Sequence, residues 1–156
     1  MRQCFAFVPE PGGSEDKAVS EMLSTIKVPV LGRLPTRVRT ALEAFQETLL
    51  AAFAGQIRSI ILYGSYARGD AALDSDVDVM VVVVWGEERL PDGLYRSMYR
   101  DPRWETVVDT AHDVSLKHGI WISPLVVSED RYTARKRWSF FKQIQREGIV
   151  LWPSSS

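Results

Sequence analysis

Two acidic residues, Asp76 and Asp78, stand one residue apart at the head of the apolar run Val79 to Trp85. In an extended strand, residues two apart project from the same face, so the two carboxylates lie side by side. Like charges at that spacing repel, and a buried charge without a partner is costly. A divalent cation removes both problems. Mg²⁺ prefers oxygen ligands and is commonly held by one or two carboxylates together with waters and substrate phosphates.

Separated from Asp76 by ten residues, the chain carries Gly64-Ser65, at the end of the apolar stretch "RSIILY". A strand that ends in glycine and opens a helix offers unpaired backbone N–H groups and the positive end of a dipole, which together attract phosphate. The Ser65 hydroxyl adds a donor, and Arg68, one turn on, adds a charged contact. If the two strands are neighbours, cradle and carboxylates converge on a metal-bound nucleoside triphosphate, with chemistry at phosphorus. No Gly-Lys-Ser or Gly-Lys-Thr follows the glycine, so this is not a Walker-A loop.

The surrounding pattern supplies the elements that position these groups. Leu34-Pro35-Thr36 opens a helix whose apolar face is Val38, Ala41, Leu42, Phe45, Leu49, Ala52 and Phe53, and Gly55 ends it. Arg58 to Tyr63 reads as a strand, "YARGDAA" as one or two helical turns, and Asp74-Ser75 as a turn. Val77 to Trp85 is apolar enough to be buried on both faces, which predicts a central strand. Leu94 to Lys117 reads as a helix interrupted near Asp101-Pro102. Ile120 to Val127 is a third strand whose Pro124 predicts an edge position or a bulge. Ser128 is an N-cap, followed by Glu129 and Asp130, for a helix running to Glu147 and closed by Gly148. The short apolar piece "IVLW" and a serine-rich tail end the sequence. The expected fold is α/β, with one mixed sheet of three to five strands flanked by helices.

At 156 residues the chain is sized for one domain. Residues 1–33 read as a partly flexible N-terminal arm with a short helix over Ser14 to Ile26, residues 34–152 as the domain, and 153–156 as a tail. The apolar fraction of 46% and charged fraction of 25% fit a soluble globular protein. A single cysteine, Cys4, makes no internal disulfide and fits a reducing cytoplasm. No apolar run approaches the ~20 residues that span a bilayer. The net charge of −1 gives nucleic-acid binding no support.

The spacing Gly64-Ser65, ten residues, Asp76-Val77-Asp78 resembles the signature of the DNA polymerase beta-like nucleotidyltransferase superfamily. "YGSYARGDAALDSDVDVMVVV" is similar to its minimal nucleotidyltransferase branch at nearly every position, and "ISPLVVSEDRY" and "QIQREGIVLW" more weakly so. The resemblance implies a small nucleotidyltransferase fold. It also implies transfer of a nucleoside monophosphate, AMP from ATP foremost, to a hydroxyl with two Mg²⁺ ions. Gly64, Ser65 and Arg68 would hold the triphosphate, and Asp76 and Asp78 the metals. Stand-alone members of the branch are often antitoxins that adenylylate a tyrosine of a HEPN-type toxin.

One feature departs from the superfamily pattern. A third carboxylate is usual on a neighbouring strand, and Ile120 to Val127 holds none, with Ser123 or Pro124 in its place. Serine is a poor metal ligand and no base at neutral pH. Three arrangements stay open: another acid (Asp109, Asp113, Glu129 or Asp130) folds in, the target brings the group, or the enzyme is slow or inactive and binds nucleotide without turnover. That last case defines the competing function, a binding module that masks its partner by contact. A third class, transfer to a free small molecule, would need an acceptor pocket from a homodimer or from the N-terminal arm.

Two further features read as structural. His112 and His118 are six residues apart, which does not place both on one helical face as metal ligands. Residues 131–146 hold Arg131, Arg135, Lys136, Arg137, Lys142 and Arg146 without an acid, which reads as a solvated helix face or as a docking face for an acidic partner or RNA. In that segment Tyr132, Trp138, Phe141 and Ile144 are expected to pack.

Overall fold

The computed structural model describes residues 33–85, 91 and 101–153. The expected N-terminal arm and its helix, the first part of the expected 94–117 helix, and the last three residues of the tail lie outside that set. The elements in chain order are α1 (Thr36–Ala52), β1 (Ile57–Tyr63), α2 (Ser65–Arg68), β2 (Val77–Val83), α3 (Pro102–His118), β3 (Ile122–Ser128), α4 (Glu129–Arg135), α5 (Ser139–Glu147) and β4 (Ile149–Trp152).

One four-stranded sheet runs in the order β3-β2-β1-β4. β1 is antiparallel to both β2 and β4, while β2 and β3 are parallel. The valine-rich β2 is therefore internal, as its unbroken apolar run requires. β3 lies at the edge, where Pro124, which has no N–H to donate, is tolerated. The "IVLW" piece is the other edge strand, paired with β1 through Ile61↔Val150 and Leu62↔Ile149.

The period-2 alternation of β2 sorts the core into two layers. Val77, Val79, Val81 and Val83 join a cluster with Val38, Phe45 and Leu49 of α1 and Val107 and Ala111 of α3. Met80 and Val82 face the other way, onto Tyr132 of α4 and Phe141 and Ile144 of α5. Each such fully buried side chain contributes about 1.5–3 kcal/mol of hydrophobic stabilisation. Asp78 belongs by alternation to the Met80 face, so α4 and α5 decide what stands in front of it.

Local chemistry explains the boundaries. Asp101 caps α3 by accepting the Arg103 N–H at 2.9 Å, with Pro102 in the first turn, so the described helix starts at Pro102. Gly119 ends it in the left-handed conformation. Ser115 then ties α3 to β3, donating to the Ala111 carbonyl at 2.6 Å and accepting the Ile122 N–H at 2.9 Å. Ser128 caps α4 by accepting the Arg131 N–H at 3.1 Å.

The single helix expected over 129–147 is in fact two. Trp138 adopts an extended backbone (φ −69°, ψ 144°) and starts α5 afresh. The break lets Tyr132 and Phe141 meet edge to face at 5.0 Å on the sheet, a placement one straight helix would not give both rings. Trp138, expected to pack, is 56% exposed instead.

Candidate active site

β1 ends at Tyr63, which pairs with Asp78 across the antiparallel ladder. The Gly-Ser turn and the Asp-x-Asp pair thus arrive at the same end of the sheet, on adjacent strands. Gly64 sits at φ +77°, a region L side chains avoid, and a Cβ there would overlap the Asp78 carboxylate. Glycine serves twice here: it permits the turn, and it lets the carboxylate lie against the backbone.

α2 is a single turn, Ser65–Arg68, closed by the Gly69 N–H on the Ser65 carbonyl at 2.9 Å. One turn has little macrodipole. What α2 offers an anion is the set of first-turn amides, which have no acceptor four residues back, and the Ser65 hydroxyl. Tyr66 and Ala67 pack against the α1/α3 core layer and fix the turn to the sheet. The connection to β2 is pinned by Ser75, whose hydroxyl accepts the Ala72 N–H at 2.8 Å. Asp74-Ser75 is therefore a turn as expected, with the serine making the bond.

Asp76 is exposed just before β2, and Asp78 is partly buried in its first turn of ladder. Burial pushes the Asp78 carboxyl above the usual carboxylate range, and the Asp76 charge adds to the rise. Arg68 opposes it. Tyr63, buried beside the same carboxylate, is pushed up to about 12 and stays a neutral phenol. Two oxygen-donor groups whose ionised forms disfavour each other are a donor set suited to a hard divalent cation. Mg²⁺ fits these residues on that ground. Asp76 and Asp78 would hold it, and it would supply charge neutralisation for triphosphate.

Beside this pair runs a cleft with a cavity of 160 Å³. It is lined by the polar Arg68, Gln143 and Glu147 and by Tyr63, Gly64, Phe140 and Ile144. Arg68 Nε lies 3.2 Å from Asp70 Oδ2 and its terminal nitrogen 3.5 Å from Glu147 Oε2. Of the five residues singled out from sequence, Gly64, Ser65, Arg68, Asp76 and Asp78 all fall at this end of the sheet. The wall from α5 (Phe140, Gln143 and Glu147) escaped that reading. Its signal was Glu147-Gly148: a Cβ on Gly148 would meet the Ile144 carbonyl at 2.5 Å and Ile61 at 2.9 Å. Only glycine lets the end of α5 come this close to β1.

In the parallel β2–β3 register Asp78 stands opposite Ser123, with Pro124 opposite Val79. None of the four acids considered as a third carboxylate comes to that place. Glu129 follows β3 at the far end of the sheet, since Val77 pairs with Ile122 and Val83 with Ser128, and is held by Arg58 at 2.8 Å. Asp130 follows it there. Asp109 and Asp113 lie on α3, which covers the opposite face. Among the described residues, no group of three or more His, Cys, Asp or Glu side chains is arranged to hold a metal. His112 stacks edge-on against Trp121 at 6.0 Å, and His118 lies in the last turn of α3. No described helix is long and apolar enough to cross a membrane.

Residues 38–145 match the nucleotidyltransferase domain family model, from within α1 to within α5, and the chain belongs to that family. It is a nucleotidyltransferase of the polymerase beta-like kind, in the range of minimal members. Two relatives from Methanocaldococcus jannaschii bear the name "Putative protein adenylyltransferase". One is 32% identical over 72% of this chain and 95% of its own length, the other 27% over 69% and 92%. A solved structure described as a toxin-antitoxin with AMP-PNP aligns with a TM-score of 0.43 at 20% identity, covering 72% of this chain and 74% of that one.

Proposed function

We propose that the protein transfers AMP from MgATP to a hydroxyl of a partner protein, with Asp76 and Asp78 as the metal-binding carboxylates and Gly64, Ser65 and Arg68 as the triphosphate site. The observation that carries this reading is the contact of the Asp78 carboxylate with Gly64, which brings the aspartate pair and the Gly-Ser turn together. The names of the M. jannaschii relatives support a protein acceptor and an adenylyl group. In the reaction the acceptor hydroxyl oxygen attacks the α-phosphorus, its proton passes to solvent, the bond to the β-phosphate oxygen breaks, and pyrophosphate leaves. The protein's own part is positioning and charge: the Ser65 turn and Arg68 would hold the leaving phosphates, and Asp76 and Asp78 would hold Mg²⁺, which would supply charge neutralisation at the phosphates. From the resemblance in the Gly-Ser and Asp-x-Asp motifs, a tyrosine of a HEPN-type toxin is the acceptor we put first.

A second reading has its own observation. Ser123 opposite Asp78 supplies neither a metal ligand of carboxylate strength nor a base. On that reading the site binds nucleotide and metal but turns over weakly or not at all, and acts by binding its partner. Both readings share one test. ATP should bind tightly with Mg²⁺ and weakly in EDTA, and Asp78→Ala should erase the difference. Equal binding in Mg²⁺ and EDTA would remove the metal from the site and both readings with it.

A further inference from the structure

The α4–α5 elbow carries a ridge that the nucleotide site does not use. Arg135 lies over the Trp138 ring, its guanidinium carbon 4.5 Å from the centroid. Lys142 follows one turn later, its N–H on the Trp138 carbonyl at 3.0 Å, and Arg146 one turn beyond that. Residues four apart on a helix stand one above the other, so Trp138, Lys142 and Arg146 form one exposed row. Lys136 and Arg137 are exposed at its start. Lys136, Arg137, Lys142 and Arg146 make no ion pair with another described residue. Two large aromatics stand open here, Trp138 at 56% and Phe140 at 43% exposure. Phe140, Gln143 and Glu147 occupy the next face of α5 and line the cleft. The ridge is thus continuous with the wall of the active site.

We propose that this ridge is the docking surface for the acceptor protein, and that the acceptor presents acidic side chains around its hydroxyl. The inference rests on the proposed function for the acceptor being a protein. Charge complementarity carries it: uncompensated cations gather here in a chain whose net charge is −1. An exposed tryptophan flanked by arginine is the composition of an interface anchor. The same charges argue against a nucleic acid. A phosphate backbone following the ridge into the cleft would meet Asp70, Asp76, Asp78 and Glu147, whereas a protein can present acids only where the cations lie.

The test uses fluorescent poly(Glu,Tyr), poly(Lys,Tyr) and poly(U) as probes of the full chain by anisotropy. Poly(Glu,Tyr) should bind best and lose about tenfold or more in affinity between about 0.05 and 0.5 M salt. Arg137→Glu with Lys142→Glu should lose at least about tenfold, and Arg137→Lys with Lys142→Arg should restore it. MgATP binding by the reversed variant should stay within about twofold of the parent, which separates docking from the nucleotide site and from misfolding. Poly(Lys,Tyr) or poly(U) binding as tightly as poly(Glu,Tyr), or undiminished poly(Glu,Tyr) binding by the reversed variant, would overturn the proposal. So would self-association of the parent that the reversed variant loses, since the ridge would then be a face between copies. A chain that binds no MgATP would sink the proposed function while the copolymer result still decided the ridge.

Discussion

The Asp78 carboxylate lies against the Cα of Gly64, with no room for a side chain between them. Two motifs ten residues apart in sequence are thereby brought together, and the glycine is as much a part of the carboxylate's pocket as of the Gly-Ser turn. Gly64→Ala must both adopt φ +77° and displace the carboxylate. We expect a loss of about 1–3 kcal/mol in stability and a much larger fall, about 100-fold or more, in transfer rate. Chemical denaturation beside a steady-state assay checks both. A variant that is destabilised yet fully active would show that the contact is only structural.

Asp78 should trade stability for function. Its charge is disfavoured by burial and by Asp76, so Asp78→Asn should raise the melting temperature of the metal-free protein by about 1–3 °C. The same change should abolish Mg²⁺-dependent nucleotide binding. Scanning calorimetry in EDTA reads the first effect. A lower melting temperature would mean that the carboxylate is satisfied by the protein itself.

Gly148 holds the α5 wall against β1. A methyl there meets the Ile144 carbonyl and Ile61, both inside packed structure. Gly148→Ala should cost about 1–3 kcal/mol. It should also weaken ATP binding, because Phe140, Gln143 and Glu147 move with the helix end. Unchanged affinity in a destabilised variant would place nucleotide away from the α5 wall.

Asp101 ties the start of α3 to its own first turn, by the cap bond to the Arg103 amide and by an ion pair at 2.6 Å to the Arg103 guanidinium. Those contacts hold its carboxyl below the usual carboxylate range, the side-chain bond to Arg103 first. A folded value below the unfolded one stabilises the protein above the unfolded value, about pH 4, and the contribution is lost as pH falls through the folded value. Asp101→Ala should therefore cost about 1 kcal/mol at about pH 7 and less at about pH 3. Denaturant midpoints at the two pH values measure it, and an equal cost at both would assign the effect to packing.

Much of this was legible in the sequence, and the reasons are particular. Val77 to Val83 reads as a central strand because only a strand covered on both faces can hold so many valines in a row. The convergence of Gly64 and Ser65 with Asp76 and Asp78 was legible because both pairs stand at the ends of strands that neighbour each other. The break at Trp138 was not legible. Residues 129–147 keep a helical pattern throughout, and only the docking of Tyr132 and Phe141 on the sheet demands the elbow. Glu147 was missed because its partner, Arg68, is 79 positions away. The register that sets Ser123 opposite Asp78 likewise exists only after β2 and β3 have paired.

The most direct test of the central claim is incubation with ATP labelled at the α-phosphate, with Mg²⁺, in the presence of the protein encoded beside this one. An Asp76→Ala/Asp78→Ala variant serves as the control. The account predicts label on the partner protein, none in EDTA and none with the variant. Label that persists at parental level in the variant would contradict it, because transfer would then not pass through the site at Gly64 and Asp78.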